Sequence, residues 1–115
     1  MYMYKLVVFV PLKDKEKVKN ALFEQGAGKQ GFYSHCCWET EGTGQFKPLA
    51  GSQPVIGSHN SIERVPEVRV EMLVTEELVP LCIEAIHINH PYEEPAFELY
   101  KVFTDGSELE GQEWL

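Results

Sequence analysis

Apolar residues along the chain mark four segments as β-strands. Residues Tyr2 to Val10 are almost continuously apolar or aromatic, which is typical of a strand buried on both faces. The cleanest alternation runs from Glu67 to Val74, where every second residue is apolar, and it predicts a strand with one buried face. Weaker alternation over Tyr33 to Thr40 and a further apolar segment from Ala96 to Phe103 predict the other two strands.

Apolar residues at helical spacing predict two helices. Asp14 suits the cap of the first helix, whose apolar face holds Val18, Ala21 and Leu22 and which the glycines at 26 and 28 end. The second helix is predicted to begin near residue 78 or 79, because Pro80 fits only its first turn. It ends near residue 89 or 90, because Pro91 disfavours helical geometry at the residue before it.

The order strand, helix, strand, strand, helix, strand predicts an α+β fold. It is the ferredoxin-like split βαβ sandwich, an antiparallel sheet with two helices on one face. We expect a single domain over residues 1–103, with an irregular loop at about 42–62 that starts at a turn formed by Gly42-Thr43-Gly44, and an acidic C-terminal tail over 104–115. The second face of the sheet is left uncovered, and such faces are often buried by oligomerisation.

The charge of the chain excludes some partners. Ten basic against eighteen acidic residues give a net charge of −8, which argues against nucleic acid and anionic membrane surfaces. The sequence lacks a signal pattern and an apolar run of the ~20 residues needed to cross a bilayer, so we expect a cytoplasmic protein. Three cysteines without a C-x-x-C pair predict neither a disulfide framework nor a zinc finger.

The densest polar chemistry lies in residues 90–95, His90-Pro91-Tyr92-Glu93-Glu94-Pro95, here called the His-Pro corner. Its two prolines predict a stiff connection between the second helix and the last strand. The favoured interpretation is an architectural clamp. In it His90 caps the last helix carbonyls, Tyr92 packs on the sheet edge, and Glu93 or Glu94 accepts hydrogen bonds from the glycine turn.

A metal site is the alternative interpretation of the same residues. His90 and Glu94, joined by His35 and Cys36 from the second strand, offer a donor set suited to zinc or copper. No catalytic residues are assigned. Glu93 and Glu94 are adjacent and point apart on an extended chain, and no basic cluster is evident that would activate the Cys36 thiol.

Five motifs occur in a fixed order along the chain: Gly31-Phe32-Tyr33-Ser34-His35-Cys36-Cys37-Trp38, Gly42-Thr43-Gly44-Gln45-Phe46-Lys47-Pro48, Pro54-Val55-Ile56-Gly57, Glu67-Val68-Arg69-Val70-Glu71, and His90-Pro91-Tyr92-Glu93-Glu94-Pro95-Ala96. Together they resemble the domain inserted into the YqfO-type members of the NIF-three-like dinuclear-metal proteins, over roughly Tyr4 to Phe103. The resemblance implies a fold similar to the trimeric CutA and PII proteins, in a stand-alone version of the insert. We expect this chain to lack the flanking domain that supplies the two-metal site of that family, so its GTP cyclohydrolase label is not carried over.

The resemblance to PII proteins also implies ligand binding in clefts between subunits, beside the loop after the second strand. We therefore expect a non-enzymatic PII/CutA-like ligand-binding or protein-interaction module, a homotrimer with a small molecule in an intersubunit cleft. The predicted ligand-binding residues are Gly44, Phe46, Tyr92 and Glu93. The alternative is a protein that binds a divalent metal ion, zinc or copper, in the style of CutA, through His35, Cys36, His90 and Glu94. No other cofactor is predicted.

Overall fold

The computed structural model describes residues 3–104, which form a four-stranded antiparallel sheet with two helices against one face. The elements in chain order are β1 (Met3–Pro11), α1 (Lys15–Glu24), β2 (Trp38–Phe46), β3 (Glu63–Thr75), α2 (Val79–Asn89) and β4 (Phe97–Val102). The strand order across the sheet is β2-β3-β1-β4, so the predicted ferredoxin-like fold is confirmed. Most of the predicted acidic tail, from residue 105 onward, lies outside the described residues.

The core lies between the sheet and the helices. Strand β1 is central: Val8 faces Val70 of β3 on one side and Phe97 of β4 on the other, and Met3 faces Val102 at the start of β1. Side chains alternate along a strand, so every second residue of β1 shares the face of Val8, and so do the residues that pair with them on β3 and β4. The buried cluster on this face comprises Leu6, Val8, Val10, Val68, Val70, Met72 and Val74 from the sheet, Val18, Leu22, Cys82, Ala85 and Ile86 from the helices, and Ala27 from the connection after α1.

Both helices begin and end close to the predicted positions. A single turn of 3-10 helix, Leu12–Asp14 or Glu76–Leu78, precedes each of them, and Pro80 lies in the first turn of α2 as expected. Asp14 stands at the cap position of α1, but its side chain makes no capping hydrogen bond. None of the helices within residues 3–104 has the length and apolar character needed to cross a membrane.

The second strand differs from the prediction. Residues 33–37 are not strand, and β2 runs from Trp38 to Phe46 straight through Gly42 and Gly44, which were expected to form a turn. Strand β3 starts at Glu63, so the irregular loop covers 47–62 and not 42–62. The physical reason is that β2 is an edge strand, exposed along most of its length. Its position is set by backbone pairing with β3. Because neither face of β2 is buried, its sequence has no alternation of apolar and polar residues that would identify it as a strand.

The face of the sheet opposite the helices carries apolar groups that the described chain leaves uncovered. Trp38 is 70% exposed and Tyr100 is 45% exposed on this face. Phe9 is half-buried there, with the Arg69 guanidinium 5.6 Å from the centre of its ring. Exposed aromatic side chains on one face of a sheet are typical of an interaction surface.

Candidate ligand-binding cavity

The His-Pro corner leaves α2 and runs to β4 beside the end of β1. His90 is the C-cap of α2 in extended geometry (φ −79°, ψ 137°), and its N–H donates the last helical hydrogen bond to the Ile86 carbonyl at 2.8 Å. Beyond the corner, the Phe9 N–H donates to the Ala96 carbonyl at 3.1 Å. The corner is therefore attached to the central strand just before β4 begins.

His90 is the buried anchor of the corner. It is 6% exposed, and its Nε2 lies 2.7 Å from the Phe9 carbonyl oxygen, while its Nδ1 accepts a hydrogen bond of 3.1 Å from the Tyr92 N–H. Because Nδ1 accepts, Nε2 must carry the proton and donate to Phe9, so the ring is neutral and in one tautomer. Burial lowers the pKa of His90, in agreement with this assignment. The partner of the ring is thus the Phe9 carbonyl, and not the helix carbonyls that the clamp interpretation expected.

Tyr92 connects the corner to the uncovered face of the sheet. Its hydroxyl donates to Glu67 Oε2 at 2.8 Å, and its ring meets that of Phe46 edge-on at a centroid distance of 5.7 Å. Burial, and then the hydrogen bond to Glu67, raise the pKa of Tyr92 well above its ordinary range. A Cβ atom on Gly44 would overlap the Glu67 carboxylate. The carboxylate therefore occupies space that is open only because residue 44 of β2 is glycine.

The two adjacent glutamates of the corner have different surroundings. Glu93 accepts a hydrogen bond of 3.1 Å from the Gln53 N–H and so attaches the corner to the loop 47–62. The contact expected with the glycine turn is not made, since β2 continues through those glycines. Within residues 3–104, the Glu94 carboxylate has neither a hydrogen bond nor an ion pair. Glu93 thus accepts a backbone hydrogen bond, as the clamp interpretation expected, but the donor belongs to the loop 47–62 and not to the glycine turn.

The corner, the end of β2 and the long loop form a cavity of about 400 Å³ that is open to solvent on one side. Its lining comprises Gln45, Phe46, Lys47, Pro48, Leu49, Ser52, Pro54, Val55, Ile56, Glu67, Tyr92, Glu93, Glu94 and Ala96. Of the predicted residues, the structure brings Phe46, Tyr92, Glu93 and Glu94 together here, and Gly44 lies beneath the Glu67 carboxylate. Three of the predicted ligand-binding residues, Phe46, Tyr92 and Glu93, therefore line one cavity, and the fourth, Gly44, lies next to it.

Sequence reasoning missed Glu67 and the walls that the loop contributes. The alternation from Glu67 to Val74 predicts only that Glu67 lies on the face of the strand opposite the core, and the fold then shows that Tyr92 of the corner contacts it. Leu49, Val55 and Ile56 were visible as isolated apolar residues in an otherwise polar segment. That pattern is a usable signal, because apolar residues in a long loop usually cover or line something.

His35 and Cys36 lie elsewhere, at the end of α1. The His35 ring packs on Phe23 at a centroid distance of 4.8 Å, and the Cys36 N–H donates to the Gly28 carbonyl at 2.8 Å. Neither residue lines the cavity, and both ring nitrogens of His90 are already hydrogen-bonded. The part of the chain that the structure describes contains no group of three or more His, Cys, Asp or Glu side chains that would hold a metal ion. His35, Cys36, His90 and Glu94, the predicted metal ligands, therefore do not come together at one site in the described structure.

Comparison with known proteins connects the chain to part of longer proteins. No family model matches it. It is 49% identical over 96 residues to a "GTP cyclohydrolase 1 type 2 homolog" of Mycobacterium leprae, covering 84% of this chain and 25% of the relative. It is 44% identical over 107 residues to the protein of the same name from Halalkalibacterium halodurans, covering 93% of this chain and 29% of the relative. The chain thus spans about a quarter of the length of these curated relatives.

Solved structures also match this chain, one of them over a segment of a longer protein and others over most of their length. A Bacillus cereus protein related to NIF3 superposes with a TM-score of 0.78 at 42% identity, over 90% of this chain and 26% of the other. The divalent ion tolerance protein CutA1 of Ehrlichia chaffeensis gives a TM-score of 0.65 at 17% identity, covering 93% and 87% of the two chains. Bacillus subtilis GlnK gives 0.58 at 15% identity, covering 88% and 86%. The chain is therefore similar to one segment of proteins named GTP cyclohydrolase 1 type 2 homolog, and it has the fold of CutA and GlnK.

Proposed function

We propose that this chain is a non-enzymatic, PII/CutA-like module that binds a small molecule in the cavity beside the His-Pro corner, as a homotrimer. It corresponds to the insert domain of the YqfO-type NIF-three-like proteins. The observation that carries the proposal is the cavity itself. Its volume of about 400 Å³ falls within the range of about 300–1,000 Å³ that is usual for small-molecule sites.

The composition of the lining supports binding in preference to catalysis. Phe46, Tyr92 and the loop residues supply apolar walls, and Glu67 and Glu93 are held in place by hydrogen bonds. Small-molecule sites combine such walls with a few fixed polar groups. The name of the curated relatives describes proteins about four times as long, so we do not extend a GTP cyclohydrolase activity to this segment.

The uncovered face of the sheet supports self-association. Trp38 and Tyr100 are exposed on it, and Phe9 is only half-buried. Covering these side chains by other copies of the chain would remove apolar surface from water. The three cysteines are free, which fits a reducing compartment such as the cytoplasm. We expect native mass spectrometry to give the trimer mass, and a monomer at micromolar concentration would contradict this part of the proposal.

The binding proposal is tested with a chemically mixed library of cationic, neutral and anionic small molecules. Protein-observed nuclear magnetic resonance records which amides shift. We expect the shifts to cluster at Phe46, the loop 47–56 and Tyr92. Library hits that shift only residues away from the cavity, or no hits at all, would overturn the proposal.

A matched pair of variants controls for folding. Ala96→Trp places an indole at the cavity, where Ala96 contributes to the lining, while its carbonyl remains free to accept from Phe9. Ala50→Trp adds the same side chain at an exposed loop position that does not line the cavity. We expect Ala96→Trp to abolish the shifts of the library hits and Ala50→Trp to preserve them. Equal binding by both variants would place the ligand elsewhere.

A further inference from the structure

We propose that the cavity selects a small organic cation, an ammonium group, free or methylated, attached to an apolar body. This inference rests on the proposed function and adds the chemical class of the ligand. Three features of the lining carry it: an excess of carboxylates, two aromatic rings next to one of those carboxylates, and apolar loop residues that are left exposed.

The charges at the cavity favour a cation. Glu67, Glu93 and Glu94 line it, and Lys47 is the single basic residue in the lining. Within residues 3–104, none of these three carboxylates forms an ion pair with a lysine, arginine or histidine. Three carboxylates against one ammonium leave a negative site in a chain whose net charge is −8. An anionic ligand would meet repulsion there, while a cation would gain attraction.

The geometry around Glu67 favours an ammonium group. Its carboxylate is fixed by the Tyr92 hydroxyl at 2.8 Å, and the rings of Tyr92 and Phe46 meet at an interplanar angle of 61°. An ammonium group that lay on the face of one of these rings, within reach of the Glu67 carboxylate, would be attracted by both, because ring faces are electron-rich and tolerate methyl substituents. Gly44 makes this arrangement possible, since any larger residue would displace the carboxylate.

The loop supplies walls for an apolar body. Leu49 is 62% exposed and Val55 is 65% exposed, although both line the cavity. The loop is held at its ends by the hydrogen bond from the Asn60 N–H to the Pro48 carbonyl at 2.7 Å, and in its middle by Gln53 and Glu93. A ligand body between these side chains and Phe46 would cover apolar surface that is otherwise in water.

Three probes of the same shape separate charge from apolar contact. They are 1-naphthylmethylammonium, the neutral 1-naphthylmethanol and the anionic 1-naphthoate, titrated into the full chain by isothermal calorimetry. We expect the cation to bind about tenfold more tightly than the alcohol, as one charge-assisted contact provides, and the anion to bind most weakly. Added salt should weaken binding of the cation and leave that of the alcohol unchanged.

Two matched variants assign the preference to the cavity. Glu67→Gln removes the charge and keeps an oxygen that accepts from Tyr92, whereas Glu41→Gln makes the same charge change on β2 outside the lining. We expect Glu67→Gln to lower the affinity for the cation several-fold, toward that for the alcohol, because Glu93 and Glu94 remain, and Glu41→Gln to leave both affinities unchanged.

The outcomes distinguish this inference from the proposed function. Equal affinity for the cation and the alcohol, or equal effects of the two variants, would overturn the ligand class while cavity binding stands. Tighter binding of the anion would do the same. If none of the three probes gives a binding signal in calorimetry and the mixed library leaves the cavity amides unshifted, both the ligand class and the binding function are wrong.

Discussion

Replacing His90 by alanine tests the central contact of the corner. The ring is 6% exposed and joins two backbone groups, the Phe9 carbonyl at 2.7 Å and the Tyr92 N–H at 3.1 Å. Alanine leaves both groups without their partner. A buried polar group that loses its partner costs about 1–3 kcal/mol. Removal of the imidazole also leaves a void, which lowers stability further. Tyr92 is only partly buried, so its N–H regains some hydration. We therefore expect the free energy of unfolding to fall by about 3 kcal/mol.

The measurement is urea unfolding followed by far-ultraviolet circular dichroism, with two graded variants. His90→Gln keeps a donor near the Nε2 position and loses the acceptor for Tyr92, while His90→Asn keeps an acceptor near Nδ1 and loses the bond to Phe9. We expect each to lose less stability than His90→Ala. His87→Ala, at an exposed position on α2, is the control, with an expected loss below about 1 kcal/mol.

Three results would refute this account of the corner. One is a loss below about 1 kcal/mol for His90→Ala, since the Phe9 carbonyl left without its partner and the void left by the ring together cost more than that. A second is a loss for His87→Ala as large as that for His90→Ala. The third is equal stability of the alanine, glutamine and asparagine variants, which would show that the ring acts through its volume and not through its nitrogens.

Three further predictions concern pH, a glycine and the core. Burial lowers the pKa of His90 below its ordinary value of 6.5, despite the facing carboxylates of Glu67 and Asp14. The unfolded chain therefore binds more protons, so stability is full above pH 6.5 and falls as pH decreases below it, by at most about 1.4 kcal/mol per pH unit. Urea unfolding from pH 7 to pH 5 checks this, and His90→Gln is expected to lack that decline; parallel curves would contradict it. Gly44→Ala is expected to push the Glu67 carboxylate aside and break its hydrogen bond with Tyr92, at a cost of about 0.5–1.5 kcal/mol, whereas Gly42→Ala meets no atom within 4 Å and is expected to be neutral; equal unfolding midpoints of the two would refute this. Leu22→Ala, at a fully buried position, is expected to lose about 2–5 kcal/mol by thermal or urea unfolding, against less than about 1 kcal/mol for Leu12→Ala, whose side chain is 45% exposed; similar losses would place the core elsewhere.

The sequence predicted those elements whose residues carry a burial pattern or a proline. The alternation from Glu67 to Val74 marks β3 because one of its faces packs on the helices. Pro80 and Pro91 mark the two ends of α2, since each constrains the backbone locally. Local signals of this kind need no knowledge of the rest of the fold, so they can be interpreted from the sequence.

Strand β2 and the cavity depend on distant parts of the chain and were harder to predict. Gly42 and Gly44 resemble a turn locally, but pairing with β3 keeps them extended, and the space above Gly44 is filled by Glu67. Likewise, the alternative interpretation as a metal site placed His35 and Cys36 beside His90 because their side chains are suitable metal ligands. The packing of the His35 ring on Phe23 of α1 and the hydrogen bond from the Cys36 N–H to the Gly28 carbonyl hold them in another place.

The pairing of Met3 with Val102 determines how the domain responds to a pulling force. Antiparallel partners at the start of β1 and the end of β4 lie about 5 Å apart, so a force applied through the two ends acts across this pair first. The hydrogen bonds between β1 and β4 run perpendicular to the strands and so lie along the force. They would break one after another from this end, and not all at once as under shear. Separation of β4 from β1 would then uncover Leu99 and Phe97, which pack on the core. The module is therefore mechanically weak along the line that joins its ends, and neighbouring parts of a longer chain would have to carry any tension around it.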